Sequence, residues 1–74
     1  MANRREQCKQ IAELDYIKCT WNAEWDEFRV TLDGLSAGRE EAMAYYTNDF
    51  DDALLTARVM SKERSEQLRR AVGR

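Results

Sequence analysis

Two segments in the first half of the chain, 16–21 and 25–32, alternate between apolar and polar residues. The apolar side chains of each segment fall on one face: Ile17, Cys19 and Trp21 in the first, and Phe28, Val30 and Leu32 in the second. A period of two in segments rich in aromatic and β-branched residues is typical of strands with one buried face. Because only the short segment 22–24 separates the two, we expect an antiparallel β-hairpin.

The pattern also restricts how the two strands pair. The apolar residues of both strands share a face only if the two residue numbers of each cross-strand pair sum to an odd value. Such registers leave a connection of two or four residues. This excludes a three-residue loop with Trp21 opposite Trp25. Of the two-residue registers, one places Lys18 opposite Glu27 and the other places it opposite Arg29. We favour the first, because opposite charges stabilise a cross-strand pair.

The next segment contains a turn followed by an ambiguous stretch. Asp33-Gly34 is a strong turn signal, and residues 36–38 extend it into a loop. Residues 41–47 contain Ala and Glu, which favour a helix, but their length, the preceding turn and the Tyr-Tyr-Thr ending favour a third strand. We predict the strand, in which Tyr45 and Tyr46 point to opposite faces, one into the core and the other toward a partner.

The clearest helix start in the chain follows this strand. Asp49 provides an N-cap, and Asp51 and Asp52 add negative charge where the helix dipole favours it. Beyond them, apolar residues form one stripe at helical spacing: Phe50, Ala53, Leu54, Ala57 and Met60, widened by Leu55 and Val59. This helix is expected to cover the sheet. Ser61 either caps a second helix over 62–72 or lies inside one continuous helix.

The expected fold class is α+β: a three-stranded antiparallel sheet covered by one main helix in the C-terminal half (βββα), with short helical ends. The N-terminal helix is predicted because apolar residues within 3–14 recur at helical spacing. The 74 residues make one small domain, 1–74. The basic segment 62–74 has few apolar residues and is held either weakly or by a partner.

Charge is distributed unevenly along the chain. Between Thr20 and Leu55 nine acidic residues stand against two basic ones, whereas from Thr56 onward six basic residues stand against two acidic ones. The net charge of −2 therefore conceals an acidic middle and a basic end, which bears on the choice of partner rather than on the fold. A core of this size contributes only about 3–5 kcal/mol, so oligomerisation or docking on a partner is a reasonable supplement.

No arrangement of residues predicts catalysis, a metal or a cofactor. The chain has no histidine, and its two cysteines cannot complete a tetrahedral zinc site by themselves. An EF-hand loop that began at Asp49 would need a glycine at its sixth position and a glutamate at its twelfth. The chain has Leu54 and Met60 at these positions, so the pattern does not match. Glycine-rich phosphate-binding motifs are also missing from the sequence. We therefore expect a non-enzymatic protein without metal or cofactor.

The cysteines and the lack of targeting signals indicate the compartment. Neither a signal peptide nor a stretch approaching the roughly 18 apolar residues of a membrane span is found. We expect a cytoplasmic protein with reduced thiols and without contact to a membrane. Cys19 falls on the inward face of its strand and is predicted to be core, whereas Cys8 is predicted to be exposed and incidental.

The tryptophans and the acidic middle supply the candidate binding residues. Trp21 is predicted to be core, whereas Trp25 has the opposite parity to Phe28 and lies near the turn. Trp25 is either an exposed interface anchor within an acidic rim or a cap on the edge of the core. The predicted partner-binding residues are Glu24, Trp25, Asp26, Glu27, Asp33, Glu40, Glu41, Tyr45, Asp49, Asp51 and Asp52.

These residues favour a small protein-binding module whose acidic surface docks on a positively charged patch of a larger, basic or nucleic-acid-binding protein. Occupying such a patch inhibits nucleic-acid binding by competition. In size, charge and expected topology the chain resembles small proteins encoded by phages and mobile elements, among them anti-CRISPR inhibitors, some of which block nucleic-acid channels with acidic surfaces. The resemblance involves no motif and assigns no residue.

Two alternatives come from the basic end of the chain. The first is a nucleic-acid-binding or regulatory protein that acts through Arg58, Lys62, Arg69 and Arg70 on the C-terminal helix. Direct binding is the weaker hypothesis because no aromatic residue for base stacking lies among them and the acidic middle repels phosphate. The second is a homo-oligomer in which the basic tail of one chain pairs with the acidic face of another.

Overall fold

Three antiparallel strands form one sheet with β2 in the centre, and a long C-terminal helix packs across it. The structure is a computed structural model that describes residues 3–72. Its elements in chain order are α1 (Arg4–Ala12), β1 (Ile17–Asn22), β2 (Glu27–Leu32), α2 (Ala37–Met43), β3 (Tyr45–Thr47) and α3 (Phe50–Val72). The predicted α+β fold with its βββα arrangement is confirmed.

The hairpin has the predicted buried face but a different register. The two residue numbers of each cross-strand pair sum to an odd value, so the apolar residues of β1 and β2 share one face. However, Lys18 lies opposite Thr31, and the connection between the strands is four residues long, 23–26. The predicted pairing of Lys18 with Glu27 is therefore wrong.

The side chain of Asn22 accounts for the longer connection. Its Oδ1 accepts hydrogen bonds from the main-chain N–H groups of Glu24 (3.0 Å) and Trp25 (3.3 Å), and Asp26 completes the turn with a φ of 53°. Two-residue hairpin connections favour pairs such as Asn-Gly, whose residues adopt positive φ easily. Here alanine follows Asn22, so a turn built on the asparagine side chain and on Asp26 replaces the shorter one.

The segment between β2 and β3 departs from the prediction. Residues 37–43 form helix α2, so the predicted loop over 36–38 is right only at residue 36, and the first part of the predicted strand over 41–47 is wrong. Ala, Glu and Met are strong helix formers, but so short a helix needs tertiary contacts to persist. One such contact is a 2.7 Å hydrogen bond from the hydroxyl group of Thr31 to the carbonyl oxygen of Glu40.

The core lies between the inner face of the sheet and the helices α1 and α3. Its buried apolar residues are Cys8, Ile11, Ile17, Phe28, Val30, Leu32, Ala53 and Ala57. The prediction that Cys8 is exposed is wrong, because α1 packs on the sheet and carries Cys8 into the same cluster as Cys19. Ile11, whose helical spacing from Cys8 contributed to the prediction of this N-terminal helix, is also fully buried.

Helix α3 begins where the sequence predicts and runs without interruption past Ser61. The N–H group of Asp51 donates a 2.9 Å hydrogen bond to Oδ1 of Asp49, which is therefore the N-cap. Leu55 and Val59 are 62% and 49% exposed, so the predicted widening of the apolar stripe is wrong. Within residues 3–72, no helix is long and apolar enough to cross a membrane.

Candidate partner-binding site

Two acidic segments that are distant in sequence meet at one end of the sheet. Phe28, next to the hairpin connection, pairs with Thr47, which closely precedes the start of α3. The hairpin connection and the first turn of α3 therefore lie at the same end of β2. We call the residues 23–27 and 48–52 the acidic end of the molecule.

Trp25 projects from the hairpin connection at this end. Its side chain is 70% exposed, and the two hydrogen bonds to Asn22 hold the turn that carries it. The edge of the core is covered instead by Trp21, whose ring centroid lies 4.8 Å from that of Phe28 in an edge-on arrangement. The guanidinium carbon of Arg4 lies 5.0 Å from the Trp21 ring centroid and completes this cover. Of the two alternatives for Trp25, the exposed position is the one observed.

Four carboxylates of the acidic end have side chains without a partner. Within residues 3–72, no hydrogen bond or salt bridge involves the carboxylate groups of Glu24, Asp26, Glu27 and Asp51. All four side chains are exposed or half-buried, so their charges remain accessible to solvent. Glu24, Asp26 and Glu27 lie within two residues of Trp25 in the chain and place negative charge beside its exposed indole ring.

The other two aspartates of the acidic end stabilise the fold. Asp49 caps α3, as described above. Asp52 accepts a 2.7 Å hydrogen bond from the hydroxyl group of Tyr45, and this bond raises the pKa of Tyr45. Tyr45 and Tyr46 do point to opposite faces of β3, but both are exposed, so the prediction that one of them is core is wrong. Tyr45 pairs with the buried Val30 but lies on an edge strand, whereas Tyr46 pairs with Arg29 on the face away from the core.

The remaining predicted residues lie away from the acidic end and have internal partners. Glu40 forms a 3.2 Å salt bridge with Lys18, and Glu41 forms a 3.0 Å salt bridge with Arg29. The hydrogen bond that Tyr46 donates to Glu41 is the main cause that lowers the pKa of Glu41. The hydrogen bond from Arg29 lowers it further.

Asp33 is the third predicted acid that lies elsewhere, in the turn after β2. Its Oδ1 accepts a 2.9 Å hydrogen bond from the N–H group of Gly34, which adopts a φ of 84°. This carboxylate therefore stabilises a tight turn at the far end of β2. Together with the paired side chains of Glu40 and Glu41, it is separate from the surface around Trp25.

A groove between α2 and α3 was missed by the sequence analysis because α2 itself was not predicted. It has a volume of about 270 Å³, an apolar floor that includes Leu35 and Met43, and guanidinium groups from Arg39 and Arg64. The signal that could have located it is the run of helix-forming residues over 37–43.

The chemistry available at these surfaces is that of charge and apolar contact. Within residues 3–72, no group of three or more cysteine and acidic side chains is placed to hold a metal ion. Burial raises the pKa of the Cys8 thiol, and burial together with the neighbouring Cys8 raises the pKa of Cys19 to about 12. Such thiols carry little thiolate at neutral pH and are poor nucleophiles.

Comparison with known proteins gives no match among family models, curated proteins or solved structures. The function is therefore argued from the residues of this chain. At the acidic end an exposed tryptophan lies near carboxylates, four of which have no hydrogen-bond or salt-bridge partner in the part of the chain that the structure describes.

Proposed function

We propose that this chain is a non-enzymatic binding protein whose acidic end docks on a positively charged patch of a larger protein. One observation carries the proposal: Trp25 is 70% exposed on a turn where Glu24, Asp26 and Glu27 have carboxylates without a hydrogen-bond or salt-bridge partner within residues 3–72. Elsewhere in the described chain, predicted acids such as Glu40 and Glu41 are compensated by bases. The segments 23–27 and 48–52 contain six acidic residues and no basic one, so negative charge is dense beside the turn from which Trp25 projects.

The two components of this surface have different roles in binding. A tryptophan that enters a pocket on the partner contributes binding energy as a central anchor. The surrounding carboxylates of Glu24, Asp26 and Glu27 attract a basic surface and increase the association rate, an effect that salt screens. The hydrogen bonds from the turn to Asn22 limit the motion of Trp25 and reduce the entropy lost on binding.

The class of partner follows from the charge. Basic patches on cellular proteins commonly hold nucleic acid, whose phosphates supply most of the affinity. A protein that occupies such a patch with carboxylates prevents nucleic acid from binding there. The anti-CRISPR inhibitors that the chain resembles in size and charge include proteins with this mode of action, and the resemblance supports competitive inhibition as the function.

Affinity capture from cells of the source organism, with mass spectrometry, tests the proposal. Trp25→Ala and the double variant Glu24→Lys/Glu27→Lys should each lose the partner that the wild-type chain captures. The double variant Glu13→Lys/Glu63→Lys changes the net charge equally at exposed positions elsewhere and should retain it. A captured protein that binds all variants equally would contradict the proposal.

The inhibitory role has its own measurement. The captured partner, once purified, should shift a nucleic-acid probe in a gel, and wild-type chain should abolish this shift at stoichiometric concentration. Trp25→Ala should inhibit at least about tenfold more weakly, since an anchor residue of this kind contributes ~2 kcal/mol or more. A partner that binds the chain and nucleic acid simultaneously would exclude competition as the mechanism.

A second candidate function is direct nucleic-acid binding by α3. The observation that favours it is a groove of about 380 Å³ beside Leu14, which is lined by Arg58, Lys62 and Arg69 of α3 together with Asp15 and Glu66. In a gel-shift assay with bare DNA or RNA, our proposal expects no shift at moderate salt. A salt-sensitive shift that Arg69→Glu/Arg70→Glu abolishes would favour this second candidate instead.

A further inference from the structure

The groove between α2 and α3 is a concave counterpart to the projecting turn of the acidic end. Its apolar floor includes Leu32, Leu35 and Met43, the last of which is 50% exposed. Arg39 on α2 and Arg64 on α3 also line it. Within residues 3–72, neither guanidinium group forms a salt bridge. The groove therefore offers apolar contact together with two positive charges that have no acidic partner in the described chain.

The groove and the acidic end lie at opposite ends of the sheet. Strand β2 begins at Glu27 beside the hairpin connection and ends at Leu32 in the groove, about 17 Å away at the usual rise per residue. Along α3, Arg64 is separated from Asp51 by about 20 Å. A single chain therefore cannot place its own Trp25 in its own groove, and any contact between these surfaces is made by two chains.

The acidic end and the groove are complementary in size and charge. A cavity of roughly 150 Å³ accommodates a benzene ring, so the groove volume of about 270 Å³ is sufficient for an indole ring. Trp25 is flanked in sequence by Glu24 and Asp26, while the groove is flanked by guanidinium groups.

We propose that the occupant of this groove is a second copy of the chain, which inserts Trp25 between α2 and α3. Its Glu24 and Glu27 then face Arg39 and Arg64 of the copy that supplies the groove. The inference rests on the proposed role of the acidic end as a binding surface and extends it to a second partner. The negative charges beside Trp25 complement the guanidinium groups of the groove. Every copy of the chain carries both surfaces, so a second copy can supply the occupant.

The geometry of such a contact determines the kind of assembly. Two different surfaces of the chain meet, so the interface is heterologous: one copy retains an unused groove and the other an unused acidic end. Repetition gives rings where the rotation closes and open chains where it does not. A copy bound through its acidic end is also unable to bind another protein there, so self-association competes with the proposed partner.

Sedimentation velocity of the wild-type chain tests for the assembly. At about 0.01 M ionic strength, where the Debye length is about 30 Å, the mean mass should rise with protein concentration up to about 1 mM. At about 1 M ionic strength, where the Debye length is about 3 Å, it should return toward that of the monomer. A wild-type chain that stays monomeric throughout overturns the proposal and leaves the groove to an acidic partner of another kind.

Two half-blocked variants give the decisive test. Trp25→Ala retains the groove, and Arg39→Glu/Arg64→Glu retains the acidic end, so each alone should be monomeric while their mixture forms a 1:1 dimer and nothing larger. The variant Lys9→Glu/Arg58→Glu, with the same change of charge at exposed positions of α1 and α3 outside both surfaces, should still associate like the wild type. Circular dichroism of each variant verifies the fold. A mixture that remains monomeric, or association retained by Trp25→Ala alone, overturns the proposal.

The same variants separate this inference from the proposed function. Arg39→Glu/Arg64→Glu keeps the acidic end intact, so it should capture the basic partner at least as well as the wild type does. Loss of self-association with retained capture is the expected result. If the half-blocked pair forms its dimer while no basic partner is captured, only the proposed function fails. If capture depends on Trp25 while the wild-type chain is monomeric, only the present inference fails.

Discussion

The hydroxyl group of Thr31 donates a 2.7 Å hydrogen bond to the main-chain carbonyl oxygen of Glu40. Thr31 is fully buried, and Glu40 lies in α2, near the end of a helix where carbonyl groups lack intrahelical donors. The N–H group of Ala44 donates to Glu41 instead, at 3.2 Å. One side chain of β2 therefore satisfies a helix carbonyl and holds α2 on the sheet. The position of the groove beside α2 depends on this contact.

Replacing Thr31 by valine should destabilise the protein by about 1–3 kcal/mol, because the carbonyl group of Glu40 loses its donor while the volume of the side chain is preserved. Thr31→Ser keeps the hydroxyl group and should retain the hydrogen bond, with a smaller loss from the missing methyl group. Urea unfolding followed by circular dichroism measures both. A valine variant as stable as the wild type would show that the bond does not hold α2.

This contact also explains why α2 could not be predicted from the sequence. Seven residues without a buried apolar stripe give no helical periodicity, and such a short helix depends on partners distant in the chain. The hairpin shows the same limit: alternation determines which residues share a face, but the hydrogen bonds of the Asn22 side chain determine the loop length. The strand faces and the start of α3 were predictable because local pattern alone specifies them.

The candidate site was predictable in part for the same reason. The parity of Trp25 within its segment indicates a position off the buried face, and the structure places it 70% exposed. The pairing of Glu41 with Arg29, however, depends on how α2 lies on the sheet. Counting acidic residues therefore overestimates the negative surface, since only the folded chain separates compensated from uncompensated carboxylates.

The burial of Ile11 makes α1 part of the core. Its side chain is fully buried against the sheet, so Ile11→Ala should destabilise the protein by about 2–5 kcal/mol through lost apolar contact and a residual cavity. Ile11→Val removes one methylene group and should cost about 0.5–1.5 kcal/mol. Chemical unfolding monitored by Trp21 fluorescence measures both values. Equal stability of the alanine variant and the wild type would mean that α1 is not docked.

Asp49 and Asp51 both belong to the predicted partner-binding residues, but their substitution should affect the stability of the protein differently. Asp49→Ala removes the N-cap of α3 and should cost about 0.5–2 kcal/mol, whereas Asp49→Ser keeps a capping oxygen and should cost less. Asp51→Ala loses only a favourable charge near the helix dipole, at most about 1 kcal/mol. Thermal unfolding measures the stabilities. A larger loss for Asp51→Ala than for Asp49→Ala would contradict the assignment of the cap.

Tyr46 and Glu41 should make part of the stability depend on pH. The hydrogen bond to Glu41 raises the pKa of Tyr46 above its ordinary 10.0, so this stabilisation is complete below pH 10 and is lost as pH rises through the folded-state pKa. The bonds from Tyr46 and Arg29 lower the pKa of Glu41 below its ordinary 4.5, so its stabilisation is present above pH 4.5 and is lost as pH falls through the folded-state pKa.

Tyr46→Phe should therefore be less stable than the wild type at neutral pH, and the difference in unfolding free energy should shrink at both extremes of pH. Urea unfolding of the two proteins across the pH range measures this difference. Tyr16→Phe is the control, because within residues 3–72 the hydroxyl group of Tyr16 forms no hydrogen bond, and its difference from the wild type should not vary with pH. A Tyr46→Phe difference that is the same below pH 4.5 as at neutral pH would show that the hydrogen bond between Tyr46 and Glu41 does not form in solution.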